Sequence, residues 1–442
     1  MTPPMSQLPN QTLTAPGPTE RHNLDCDEAT FNLLPKLVER HGDVVRVEAD
    51  NLKRPAWIIS NPEDIRKVLI TNHRNYVKGV GFERVEMLLG NGIIVSDGAF
   101  WRRQRTMIQP AFSRGTMPRY FAMIKAATQR LERQWSEFAA AGEPVDITRS
   151  VSDYALEVIL RAIFSDDLDF FVDQEGINPF NFLTDDLSRD LRVAMKFRQL
   201  LKQVRVLIER RRQTGARPFD LLSTMMDARA SKTGEAMSDR ELVDEVATMI
   251  IAGHETSAGT LGWAWHLLAG DEPTAERLRN EVRQVCQGET LNYEHLEALV
   301  FTRQVLEETL RLYPPVWLFT RRAVAPDQLG GFAIETGDNI FLSPYLVQRM
   351  ARYWPDPDSF RPDRFDPERA GEQTNYTFFP FSAGPRRCIG EYFSFMEMRT
   401  HLALLATQFR LHRVAGQPVE LEPAINLRSK HNLIMTIEAI AP

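Results

Sequence analysis

Phe381-Ser382-Ala383-Gly384-Pro385-Arg386-Arg387-Cys388-Ile389-Gly390 is the stretch from which this chain is read. Phe378, Phe379 and Pro380 lead into it, and an apolar, helix-favouring run from Tyr392 to Leu405 follows. Cys388 therefore stands at the mouth of a predicted helix, in a loop rich in Gly and Pro, beside Arg386 and Arg387. Backbone N–H groups at a helix start and adjacent cations both favour a thiolate over a thiol. A thiolate held this way is a ligand for a soft or borderline metal, or a nucleophile. A lone cysteine is more often inert core, so the surrounding pattern has to decide.

That pattern, Phe-x-x-Gly-x-Arg-x-Cys-x-Gly, resembles the haem-binding loop of the cytochrome P450 family. The resemblance implies haem b as cofactor, with Cys388 as the axial ligand whose thiolate favours O–O cleavage. It implies that Gly384 and Gly390 let the backbone turn and approach the porphyrin. Phe381 would pack on the proximal side of the ring, and Arg386 would reach a propionate.

The composition agrees with an enzyme of this kind. The chain has 442 residues and a formal net charge of −6, against the basic surface that a nucleic-acid partner wants. Three widely separated cysteines, Cys26, Cys286 and Cys388, do not make a disulfide framework, so a reducing cytoplasm is expected. No run approaches the roughly 18 apolar residues of a membrane span. Residues 1–22 read as a loose leader, neither signal peptide nor anchor. On length alone about three domains are expected; the resemblance implies one catalytic domain over residues 23–442, mainly α with small β-sheets.

Along the chain, residues 43–48 and 56–60 read as strands, and Asn61-Pro62 opens a helix. Val77 to Gly98 reads as a mobile loop with short helices. Trp101 and Arg105, four apart, share a helix face. Alone they are an ordinary packed pair; the resemblance makes them propionate ligands. Pro118 to Arg212 is helical, broken near residues 165–179.

Ser238-Asp239-Arg240-Glu241 is a capping box that starts a helix running to Ala269. Midway lies Ala252-Gly253-His254-Glu255-Thr256. An acid and a hydroxyl inside a buried helix need a reason, because unpaired polar groups there cost roughly 1–3 kcal/mol. One reading has Thr256 bonded back to a carbonyl one turn earlier and Glu255 in solvent. The resemblance instead makes Glu255 and Thr256 the catalytic pair that relays protons to dioxygen, with Gly253 leaving room beside the haem.

Glu308 and Arg311 can pair three apart, an interaction worth about 0–1 kcal/mol if exposed. The resemblance makes them a structural network with Arg364, in Pro362-Asp363-Arg364-Phe365. Val316 to Thr320 is expected as a strand past the substrate, with Arg321, or else Arg322, as a further propionate partner. The resemblance implies a substrate pocket of Phe82, Met87, Leu88, Ile93, Ala252, Val316, Leu318, Phe319 and Ile425.

The expected function is a monomeric monooxygenase that hydroxylates a C–H bond of a lipophilic substrate with dioxygen. A fatty acid is favoured, anchored by Lys78 or Arg84; a terpenoid is the alternative. A peroxygenase or isomerase of the same fold fits less well because Glu255 and Thr256 are both present, and nothing in the sequence speaks for a haem sensor without turnover. Pro442 leaves no room for a flavin or iron–sulfur domain. Electrons are therefore expected from an external ferredoxin or flavodoxin with its reductase, docked near Arg102, Arg103 and Arg387.

Overall fold

The computed structural model describes residues 15–171, 178–185, 191–372 and 375–440. Helices carry most of the core, and among the described residues the strands form a five-stranded sheet and three smaller ones. The larger sheet runs in the order Val44–Val47, Ala56–Ile59, Asn339–Leu342, Phe319–Ala323, Tyr76–Lys78. Only the pair joining Ala56–Ile59 to Asn339–Leu342 is parallel. Segments far apart in sequence are thus stitched together, and the register sets Lys78 opposite Arg321.

The expected strand at Val316 begins instead at Phe319. The buried Trp317 indole donates to Ala424 O (2.9 Å), which holds residues 316–318 out of the ladder. The leader is also shorter than expected. Arg46 N donates to Pro16 O and His22 N to Glu48 O, so these residues run along the first strand. Residues 1–14 lie outside the described residues. Between Val77 and Gly98 the chain forms a strand end and the helix Phe82–Leu89.

The helix Asp239–Leu268 crosses the molecule, 30 residues or about 45 Å long. Its capping box is formed as read: Ser238 Oγ accepts from Glu241 N, and Glu241 Oε2 accepts from Ser238 N. It lies against Ile147–Phe164. A Cβ on Gly253 would stand 2.7 Å from Ile159 Cδ1, so glycine spares the two helices a crowded contact.

Glu308 and Arg311, on the helix Val300–Leu312, are both fully buried, so the exposed-pair estimate does not apply. Arg311 Nε and Nη2 donate to the two Glu308 oxygens (2.7 and 2.8 Å). Arg364 Nε adds a third contact to Glu308 (3.2 Å). Arg311 Nη1 also reaches Gln348 O (2.8 Å), and Gln348 Oε1 accepts from Phe379 N (3.1 Å), just ahead of the cysteine loop. Arg311→Ala would leave a buried carboxylate without its fork. It is expected to lower unfolding free energy by about 3–5 kcal/mol, read from urea denaturation.

Candidate active site

The cysteine loop is shaped by one glycine. Gly384 has φ +65°, and a Cβ there would meet Leu69 O at 2.4 Å. Gly390 differs: φ is −91°, and its nearest protein atom would be Phe112 Cε1 at 4.0 Å. No protein atom demands glycine there. Cys388 N donates to Phe381 O (3.0 Å), closing the loop, and the Phe381 ring lies 5.4 Å from Phe395. Cys388 is exposed to solvent while its sulfur is closely surrounded by protein.

Burial pushes the Cys388 thiol up to about 11. The Gly390 N–H, Arg105 and Arg387 act against that shift without overcoming it, and the Glu391 carboxylate reinforces it. A bound metal cation acts the other way and favours the thiolate.

Beside the loop stands a cluster of cations. Lys78 and Arg321 face each other across strands, and the Arg386 guanidinium lies 3.9 Å over the Trp101 ring. Burial, then mutual repulsion, pushes Arg321 down to about 10. Burial also brings Arg386 to about 10, partly offset by Asp97 and reinforced by Arg105 and Arg102. Lys78 falls well below the usual lysine range for the same reasons.

Asp97 is the acid recorded acting on this group; it pairs with Arg386 and accepts from Lys78 N (2.9 Å). Like charges opposed across a sheet are destabilising unless an anion sits among them. Arg321 is 4% exposed and faces the cluster, whereas Arg322 is exposed, so the choice between them falls to Arg321. Arg105 donates to Arg387 O (2.9 Å), close enough to Arg386 and Cys388 to act on both. A single thiol beside an under-neutralised cationic cluster fits a haem, which brings its own metal ligands and two carboxylates.

On the long helix, residues 251–253, 255, 256 and 259 are partly accessible, and among them Ala252, Glu255, Thr256 and Gly259 follow helical spacing. Their spacing puts them on one face. Thr256 Oγ1 donates to Ala252 O (2.7 Å), which is the back-bonded arrangement first set against the relay reading. Its oxygen keeps lone pairs for a further donor. Glu255 is not directed to bulk solvent: its Oε2 accepts from Asn426 Nδ2 (2.6 Å). His254 is buried and meets Ser152 Oγ through Nε2 (2.8 Å).

The expected pocket residues separate into groups. Ile93 is buried, and Ala252, Val316, Leu318 and Phe319 are half-buried. Phe319 packs toward Phe379, 6.3 Å between ring centroids. Phe82 carries Lys78 Nζ 4.4 Å above its ring. Met87 is 65% exposed and, with Leu88, lines an outer groove of about 470 Å³; Ile425 is 59% exposed. The free ends of Phe82–Leu89 and of the 424–427 turn carry these two side chains outward, so neither is an enclosed wall. Neither proposed carboxylate anchor is placed for that task. Lys78 belongs to the cationic cluster, and Arg84 is exposed and faces Asp25 at 3.8 Å.

Comparison with known proteins decides the family. The cytochrome P450 family model matches residues 21–435. The chain belongs to the cytochrome P450 family. It is similar to cyclooctatin synthase of Streptomyces melanosporofaciens, 33% identical over 93% of each chain. It also resembles cyclooctat-9-en-7-ol 5-monooxygenase of the same organism, 31% identical over 94% of each. The fold matches the crystal structure of the cytochrome P450DA heme domain with a TM-score of 0.84, at 22% identity, covering 94% of this chain and 93% of that one. The protein is a P450 monooxygenase, and membership implies a haem-thiolate cofactor and a redox partner. No helix of the described residues is long and apolar enough to cross a membrane.

Sequence reading missed Asp97, Asn426 and two buried acids, Glu245 and Glu397. Asp97 immediately precedes the helix Gly98–Ile108, and neither it nor the two buried acids carries a local signal of its tertiary partners. Burial pushes Glu245 and Glu397 each up to about 8. Unfolded, they release their protons near 4.5, so between these values the folded state holds more protons than the unfolded one. These two acids therefore contribute a fall in stability as pH rises from about 4.5 to 8, opposed below about 6.5 by the buried His266 and His401. Glu397→Gln is expected to flatten that slope in urea midpoints measured across the range.

Proposed function

We propose that this P450 binds haem b through Cys388 and hydroxylates a terpenoid substrate, R–H + O2 + 2 e⁻ + 2 H⁺ giving R–OH + H2O. The observation that carries the reading is the cationic cluster of Lys78, Arg321 and Arg386 beside a solitary cysteine. Haem, when bound, supplies the oxygen-activating chemistry that no side chain offers. Arg105, Arg321 and Arg386 hold its propionates, with Trp101 supporting Arg386 from below. Phe381 and Gly384 shape the loop that presents the sulfur. Glu255 would hold and release the protons, while Thr256, whose own hydrogen is committed to Ala252 O, would accept a hydrogen bond and orient the group being protonated.

A terpenoid replaces the fatty acid as the preferred substrate on two grounds. Neither Lys78 nor Arg84 is placed to anchor a carboxylate. Two similar proteins are named for cyclooctatin and an alcohol of that skeleton. The apolar residues Ile93, Ala252, Val316, Leu318 and Phe319 suit a hydrocarbon surface. We read the enzyme as a cytoplasmic monomer served by a ferredoxin or flavodoxin and its reductase. Of the expected docking charges, Arg102 and Arg387 are exposed, Arg387 beside Glu391, while Arg103 is half-buried against Glu241.

Titration of the purified ferric holoenzyme with cyclooctat-9-en-7-ol and with fatty acids of several lengths tests the substrate class. A low-to-high-spin Soret shift with the terpenoid alone is expected; a shift with fatty acids alone overturns it. Cys388→Ser should abolish the thiolate-haem spectrum, and retention of that spectrum would refute the ligand assignment. Thr256→Ala should lower product formed per NADPH by roughly tenfold. Unchanged coupling would remove the relay.

A further inference from the structure

Resting on the relay reading above, we propose that Asn426 is a positioning residue that aims the Glu255 carboxylate for proton delivery. Its Nδ2–H donates to Glu255 Oε2 at 2.6 Å, between residues 171 positions apart. An acid that must release a proton in one direction needs a fixed orientation, and a carboxylate on a flexible stem does not supply one by itself.

The turn that carries Asn426 is itself fixed. It joins the short strands Leu421–Pro423 and Leu427–Ser429. On one side Ala424 O accepts from the buried Trp317 indole (2.9 Å). On the other, Leu427 N donates to Pro315 O (2.7 Å). Within the turn Ala424 N donates to Asn426 O (3.2 Å). The amide is therefore held by the segment 315–317, which continues directly into Leu318 and Phe319. A substrate that presses on those two residues presses on the support of Asn426, so occupancy of the pocket reaches Glu255 through two hydrogen bonds.

The chemistry also fixes what the amide does. An N–H donated to a carboxylate favours its ionised form and so eases release of the proton. Aspartate at this position would have nearly the same shape but would oppose one carboxylate with another, raising proton affinity.

The test uses haem-loaded enzyme with a plant-type ferredoxin, its NADPH-dependent reductase, and whichever probe gives the spin shift. Asn426→Ala, Asn426→Asp and Glu255→Gln are compared for product per NADPH, peroxide released and the pH profile of coupling. Glu255→Gln should collapse coupling. Asn426→Ala should lower it roughly three- to tenfold with an unchanged Soret spectrum. Asn426→Asp should move the pH profile upward by about one unit. If Glu255→Gln keeps wild-type coupling, the relay itself falls. If Glu255→Gln uncouples while both Asn426 variants keep the wild-type coupling and profile, the positioning role alone falls. A change confined to the probe's binding constant would likewise overturn it, since that marks a plain pocket wall.

Discussion

Positive charge gathered inside the protein is the constraint around which the rest is arranged. Lys78, Arg321 and Arg386 act on one another in surroundings that lower the proton affinity of each. Asp97 cannot neutralise three cations. An interior of this kind is poor architecture for a chain folding for itself and good architecture for holding a dianion. The sheet exists largely to make this arrangement: its register brings Lys78 to Arg321, and the cysteine loop delivers Arg386 to the same place.

The cysteine loop draws its rigidity from behind. The Glu308–Arg311 fork is tied through Gln348 to Phe379, so a buried ion pair reaches the residue that begins the run into Cys388. Gly384 then turns the chain where a side chain would strike Leu69 O. Burial pushes the thiol so presented up while Arg105 and Arg387 pull it down, and a bound metal would add its own charge on the side of the thiolate.

Local chemistry was the part most legible in the sequence. The capping box at Ser238 and the Asn61 cap depend on adjacent residues, and each formed as read. The partners of Glu308 could be anticipated as a motif, but their burial could not, and burial changes the energetics from a surface pair to a core network. Contacts spanning the chain left no trace in any one segment. Asn426 reaches Glu255, Lys78 joins the arginines, and Gly253 serves Ile159, all through tertiary placement. Met87 and Ile425 were read as pocket walls from type and position. Both sit at the ends of short elements, where side chains turn outward.

The sheet that pairs Ala56–Ile59 with Asn339–Leu342 also sets the timing of assembly. Its early strands wait for partners nearly three hundred residues later, and Arg386 and Cys388 come later still. During synthesis Val44–Val47 can pair with Ala56–Ile59, but the rest of the sheet must wait for the later strands, and loop closure over such lengths is slow. The cofactor cradle is consequently among the last features to form. Capture of a dianion at that stage would relieve the repulsion among the three cations just as they meet. The cofactor thereby acts as a late folding ligand as well as a reagent, deepening the native basin by mass action.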